Sequence, residues 1–252
     1  QYNISEVMKL KQILCFGDSN TYGYIPENGN RYPWGVRWTS LLNEKLGVDK
    51  YHIIEEGLCG RTTVYEDAVR ENRNGSKLFP AVLETAGATD LIILMLGTND
   101  CKQAYHASAE EIGEGIRTLL RQAHRYAEHT PVLLVSPIHL GSRVWEAGYD
   151  PEFSKESVQV SKELEAVYQG IAKEEGAYFL AASRYAHASS VDEEHLNEAG
   201  HRLLADAIYS KVIEILQPDS FAGNTGGRLW NWSVADAGIT VYPAWKEERD
   251  TA

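Results

Sequence analysis

The 252-residue sequence predicts an α/β fold built on a five-stranded parallel sheet with helices on both faces. Three observations lead there. Short β-rich runs alternate with longer helical patterns along the chain. The middle runs, DLIILMLG and PVLLVSP, are almost unbroken Ile, Leu and Val, as in strands covered on both faces. The helical stretches between the later runs carry an apolar stripe with a 3.6-residue period. Such alternation closes into a parallel sheet through right-handed crossovers.

The elements follow in chain order. The first strand is KQILCFG (11–17), the second YHIIEEG (51–57) and the third DLIILMLG (90–97). A helix over 110–129 places Ile112, Ile116, Leu119, Leu120, Ala123 and Ala127 on one stripe. PVLLVSP (131–137) is the fourth strand. A helix over 158–176 repeats the pattern with Val160, Leu164, Val167, Tyr168 and Ile171, and Gly176 can end it. AYFLA (177–181) is the fifth strand. The last helix, 197–216, carries Leu203, Leu204, Ala207, Ile208, Val212 and Ile215, with Asn197 as its N-cap. Segments 24–35, 65–80 and 138–153 read as loops. The first and last are aromatic and rich in Gly and Pro, which suits pocket walls and subunit contacts equally.

Residues 1–216 thus form one domain. Past Leu216 the helical pattern stops, and 217–252 follows with Trp230, Trp232, Tyr242 and Trp245. This extension is too apolar for a solvated tail. It is expected to pack on its own domain or on a neighbouring subunit, or to shape the entrance to a site. At the other end Met8 is a candidate natural start, with residues 1–7 an added leader, and QYNISEVMKLKQ lacks the apolar core of a secretory signal.

Composition narrows the partners. The net charge of −12 opposes phosphate backbones and anionic lipid, so neither nucleic acid nor membrane is expected. No apolar run approaches the roughly 20 residues that span a bilayer. The three cysteines, Cys15, Cys59 and Cys101, form no disulfide framework and have no metal-ligand spacing. A reducing, cytoplasmic compartment and a site free of metal and cofactor are the expectation.

Parallel sheets bind ligands outside the carboxyl ends of their strands. Three polar clusters fall there: Asp18-Ser19-Asn20, Gly57 to Thr63, and Gly97 to Asp100. Such residues also simply make loops. A serine hydroxyl becomes a nucleophile only beside a base, and the base needs an orienting group. SSVDEEHLNEAGH supplies Asp192 and His195, three apart, so one turn of chain can join carboxylate and imidazole and leave the other ring nitrogen for Ser19. The bland alternative is a surface helix start. His201, on the last helix, reads as a surface or packing residue. For the oxyanion, donors are available from the Ser19 and Gly60 backbone N–H groups and the Asn99 side-chain amide. The G-x-S-x-G elbow, the phosphate loop and the G-x-G-x-x-G fingerprint are absent.

Gly17-Asp18-Ser19, Gly57–Gly60, Gly97-Thr98-Asn99-Asp100 and Asp192–His195 occur in order, and together they resemble the GDSL, or SGNH, hydrolases. The strings ILCFGDS, VRWTSLL, IEEGLCGRTT and LGTND are similar to the bacterial arylesterase and acyltransferase branch, over residues 11–216. The resemblance implies a flavodoxin-like three-layer α/β/α sandwich, Ser19, Gly60, Asn99 and His195 as the name-giving residues, no metal, ester hydrolysis through an acyl-enzyme, and homo-oligomers. It implies a structural role for Asp18, with Arg61 and Thr62 bracing the second loop. Three departures stand out. Asn20 replaces the usual Leu or Ile and is expected to make the acyl side of the pocket more polar. Cys59-Gly60 replaces Ser-Ala. The extension after Leu216 has no counterpart.

The leading reading is a serine esterase for small, acetyl-type carboxylic esters, with Ser19, His195 and Asp192 as its triad. Transfer of the acyl group to alcohols, action on carbohydrate acetates, a flavodoxin-like binding module, and a Cys-His hydrolase using Cys59 or Cys101 are its rivals.

Overall fold

The computed structural model describes residues 10–217. The expected start at Met8 and the packing of the Trp-rich extension lie outside the described residues.

Five strands form one all-parallel sheet: β1 (Lys11–Gly17), β2 (Tyr51–Gly57), β3 (Leu91–Met95), β4 (Val132–Ser136) and β5 (Tyr178–Ala181), in the order β2-β1-β3-β4-β5. Every residue of β3 and β4 is buried, which is why their sequences do not alternate. β2 lies at an edge and does alternate at its start, with Tyr51 and Ile53 buried and His52 exposed.

A single turn, α1 (Ser19–Tyr22), follows β1. Helices α2 (Trp38–Leu46), α3 (Gly75–Ala86), α4 (Ala109–Tyr126), α5 (Lys155–Glu174) and α6 (Glu198–Leu216) complete the chain. On one face, Trp38 and Leu42 of α2 and Leu204, Ile208 and Val212 of α6 pack over Ile13 and Ile93. On the other, Phe79, Ile112, Ile116, Leu164 and Tyr168 of α3, α4 and α5 cover Leu14, Phe16, Leu94 and Leu134. The result is the three-layer α/β/α sandwich expected from the sequence. Among the described residues no helix is long and apolar enough to cross a membrane.

Local signals hold where a side chain enforces them. Asn197 caps α6 by accepting the Gly200 N–H at 2.9 Å. Gly176, at φ +69°, stands just past the end of α5. The inward stripe of α6 differs from the expected one. Leu203 is exposed, and His201 and Ala205 join Leu204, Ile208 and Val212 in the core, because the helix is rotated to bury the 201/204/205/208/212 set.

Besides the single turn α1, two helices were not anticipated. α2 starts without a side-chain cap. α3 occupies 75–86 and so corrects the loop reading of 75–80; Gly75 and Pro80 disguised it. Pro80 has no N–H to return to the Ser76 carbonyl, and the Gln122 amide of α4 donates to that carbonyl instead, at 2.8 Å.

The strand order reverses between β1 and β3, and the crevice outside their carboxyl ends is where such sheets hold ligands.

Candidate active site

The chain leaves β1 through a tight turn. Asp18 is the N-cap of α1, its Oδ1 accepting the Asn20 N–H at 3.0 Å, and Ser19 opens the helix with only 3% of its surface exposed. Burial pushes the Asp18 carboxyl up to about 6, against the Asn20 N–H and the charge on His195. α1 lies directly over the end of β2. A Cβ at Gly57 would stand 2.1 Å from the Tyr22 backbone nitrogen, so only glycine lets the two approach.

The segment before α6 supplies the partner. Asp192 Oδ1 accepts the N–H groups of Glu194 (3.0 Å) and His195 (2.9 Å), and its Oδ2 lies 2.7 Å from His195 Nδ1. A carboxylate only accepts, so Nδ1 carries the proton and Nε2 is left bare. Nε2 stands 2.8 Å from Ser19 Oγ and accepts its hydroxyl. Burial disfavours the charged His195 ring, but Glu194, Asp192 and Asp18 together raise it above its usual 6.5. Burial likewise works against ionised Asp192, but the hydrogen bonds and charge of His195 bring it below 3.8. The Tyr24 ring packs on the imidazole with centroids 4.2 Å apart.

The other two loops close the opposite side. Arg61 N–H bonds to the Leu58 carbonyl at 3.0 Å, making a tight turn with Gly60 at φ +83° in its third position, where a side chain is strained. Arg61 reaches back to the carbonyls of Gly17 and Glu56, and the Arg61 carbonyl accepts the Asn99 amide at 3.1 Å. Asp100 accepts the Thr63 N–H at 2.9 Å and the Thr63 hydroxyl, tying the third loop to the second. Both residues were expected to brace the second loop: Arg61 ties it to the ends of β1 and β2, and Thr62 holds Tyr65 and Arg73 through its hydroxyl.

Ser19, Gly60, Asn99 and His195 line one cleft of about 140 Å³. Asp192 stands behind His195 and lines the outer rim with Tyr149 and Pro151. All five residues singled out from the sequence are thus brought together. The rest of the cleft wall is Tyr24, Cys59, Arg70, Lys102, Asp150, Glu152 and Glu194. Lys102 is only 4% exposed in its side chain and pairs with Glu152 at 2.6 Å. Tyr24, Arg70, Asp150 and Glu152 come from the three segments read as loops and pocket walls. Their individual parts had no sequence signal, since wall residues follow from loop shape.

Two expectations change. Asn20 does not line this cleft. It is 3% exposed, its amide donates to the Glu194 carbonyl at 3.4 Å and its Oδ1 accepts the Leu196 N–H at 2.9 Å, so its polarity is spent inside the protein. His201 is fully buried, accepts the Trp38 N–H on Nδ1 at 3.2 Å, and is held neutral, its pKa driven down to about 3 by burial and the Arg37 and His195 charges. Of the two roles considered for it, packing holds. The thiols have no thiolate character: burial drives Cys15 and Cys101 well up, and burial with the nearby Asp18 pushes Cys59 to about 11.

With this geometry in place, the comparisons with known proteins fall into line. The family described as GDSL-like lipase/acylhydrolase matches residues 15–203. Among solved structures, Est24, a carbohydrate acetylesterase from Sinorhizobium meliloti, is 35% identical, with 81% of this chain and 99% of that one covered and a TM-score of 0.76. A second carbohydrate acetylesterase family member from Sinorhizobium meliloti is 32% identical over 82% of this chain and 99% of that one, at 0.76. The aryl esterase of M. smegmatis is 34% identical over 82% and 100%, at 0.74. No curated protein sequence matches. Sequence, fold and site thus agree: this chain belongs to the GDSL-like lipase/acylhydrolase family of serine ester hydrolases.

Proposed function

We propose that the protein hydrolyses small, acetyl-type carboxylic esters through an acyl-enzyme on Ser19. The observation that carries this reading is the run of hydrogen bonds from Asp192 through His195 to Ser19, opening into the cleft that also holds Gly60 and Asn99.

Ser19 Oγ attacks the ester carbonyl carbon as His195 Nε2 takes its proton. The carbonyl oxygen becomes an oxyanion, stabilised by the N–H groups of Ser19 and Gly60 and the Asn99 amide. Collapse breaks the bond to the alcohol oxygen, and the imidazolium returns its proton to that oxygen. Water then attacks acyl-Ser19, giving its proton to His195, and the acid leaves as Ser19 is re-protonated. Asp192 fixes the tautomer and balances the charge that comes and goes on the ring.

The cleft's size and wall support the substrate class. A space of about 140 Å³ suits a short acyl group. Arg70, Lys102, Asp150, Glu152 and Glu194 offer paired donors and acceptors to a polar alcohol, which favours carbohydrate acetates over aryl esters. Charged side chains at the wall favour a hydrated cleft, and with it hydrolysis over transfer to alcohols.

Three unpaired cysteines fit the cytoplasm, a net charge of −12 turns away nucleic acid and membrane, and exposed Trp34 and Trp145 offer apolar surface to further copies of the chain.

The direct test is Ser19→Ala. Turnover of p-nitrophenyl acetate falls by about 10⁴-fold or more with the fold intact. Wild-type turnover in that variant contradicts the reading.

A further inference from the structure

The wall beside His195 holds a carboxylate that the acyl-transfer scheme does not use. The Glu194 side chain is 8% exposed, and its Oε1 stands 3.6 Å from His195 Nε2, on the cleft side. Its main chain is engaged: the N–H donates to Asp192, and the carbonyl accepts from Asn20. Its carboxylate takes no hydrogen bond among the described residues. The charged groups facing it are His195 and Asp192 of its own segment, Asp150 of the 138–153 segment and Lys102 beyond β3; Arg70 and Glu152 share the cleft. Burial, with the Asp150 and Asp192 charges adding to it, lifts the Glu194 carboxyl to about 7 against the pull of His195 and Lys102. A carboxylate that faces the cleft with no protein donor is free to accept from a ligand's donor in place of water.

The position of Glu194 says which ligand atom that is. To protonate the departing alcohol, His195 Nε2 must come within hydrogen-bond reach of the ester oxygen. A group on the carbon chain one or two bonds from that oxygen then falls within reach of Glu194 Oε1. We propose that Glu194 is a specificity-determining residue that accepts a hydrogen bond from a second hydroxyl of the departing alcohol, so that the preferred substrates are monoacetates of vicinal diols. This rests on the assignment of Ser19 and His195 made above.

The test compares kcat/KM for 2-hydroxyethyl acetate and n-propyl acetate, which have the same shape and differ by a hydroxyl against a methyl. The wild-type chain favours the hydroxy ester about tenfold. Glu194→Val brings the ratio to about one, and Glu194→Gln, which keeps an amide oxygen, retains part of it. A carboxylate accepts more strongly than a carboxylic acid. The wild-type ratio therefore rises between about pH 6 and about pH 8, while that of Glu194→Gln stays flat. The titration of His195 acts on both esters and cancels from the ratio. A wild-type ratio near one, or a full ratio in Glu194→Val, overturns the proposal. Should Glu194→Val fail to fold, Glu194→Met takes its place, and a full ratio in that variant overturns the proposal. A wild-type chain that turns over neither ester overturns the esterase reading and this inference together; one that turns over both equally overturns the inference alone.

Discussion

The Asn20 side chain accepts the Leu196 N–H at 2.9 Å, so the residue after the proposed nucleophile holds the residue after the proposed base. Positions 176 apart in sequence are locked by the same side chain that donates to the Glu194 carbonyl. Asn20→Leu leaves a buried N–H and a buried carbonyl unpaired, at about 1–3 kcal/mol each. It is expected to lower both the melting temperature and kcat, the latter by about 10- to 100-fold. Asn20→Asp, which keeps the acceptor for Leu196, recovers part of the loss. Melting curves and steady-state kinetics on both variants check this.

Activity should depend on a neutral His195. The carboxylates of Glu194, Asp192 and Asp18 hold the ring's charged form, so its acidic limb lies above the usual 6.5, and activity is lost as pH falls through that raised value. Asp192→Asn removes one of those charges. The acidic limb of kcat/KM moves to lower pH while the maximum falls by up to about 10⁴-fold, since the tautomer is no longer fixed. A pH-rate profile of the two proteins reads both effects.

His201 shapes stability rather than rate. Its pKa is depressed to about 3 in the folded protein, so below about 6.5 the unfolded chain binds a proton that the folded one refuses. Stability from this group is therefore lost as pH falls, by about 1.4 kcal/mol per pH unit below about 6.5. His201→Asn keeps an acceptor for the Trp38 N–H but does not titrate. The stability advantage of the wild type over this variant should shrink between about pH 7 and about pH 5 in urea titrations.

Gly57 is where the Ser19 turn meets the sheet. Gly57→Ala puts a Cβ 2.1 Å from the Tyr22 backbone nitrogen, and backbone cannot give way as a side chain can. A loss of about 2 kcal/mol or more is expected, with a still larger fall in activity as Ser19 shifts. Circular-dichroism melts and esterase assays measure the two.

Legibility in the sequence followed burial. β3 and β4 were readable because total burial makes a strand uniformly apolar, and α4, α5 and α6 because they are long and one-sided. α3 was not, because Gly75 and Pro80 read as loop residues, and the Gln122 amide that satisfies the carbonyl Pro80 leaves open, that of Ser76, lies forty-six positions away (122 − 76). The site residues were legible as short polar clusters at strand ends, which topology alone draws together. Asn20 and Glu194 were not. Asn20 was expected on the pocket wall, and nothing singled out Glu194, until the fold laid one over the other.

The central claim is that Ser19 is made nucleophilic by His195, 2.8 Å away. Labelling with a serine-directed organophosphonate, read by peptide mass in the wild type and in His195→Ala, tests it most directly. The expected result is one label, on Ser19, forming at least about 10³-fold more slowly without the imidazole. A label on another residue, or an unchanged rate in His195→Ala, contradicts it.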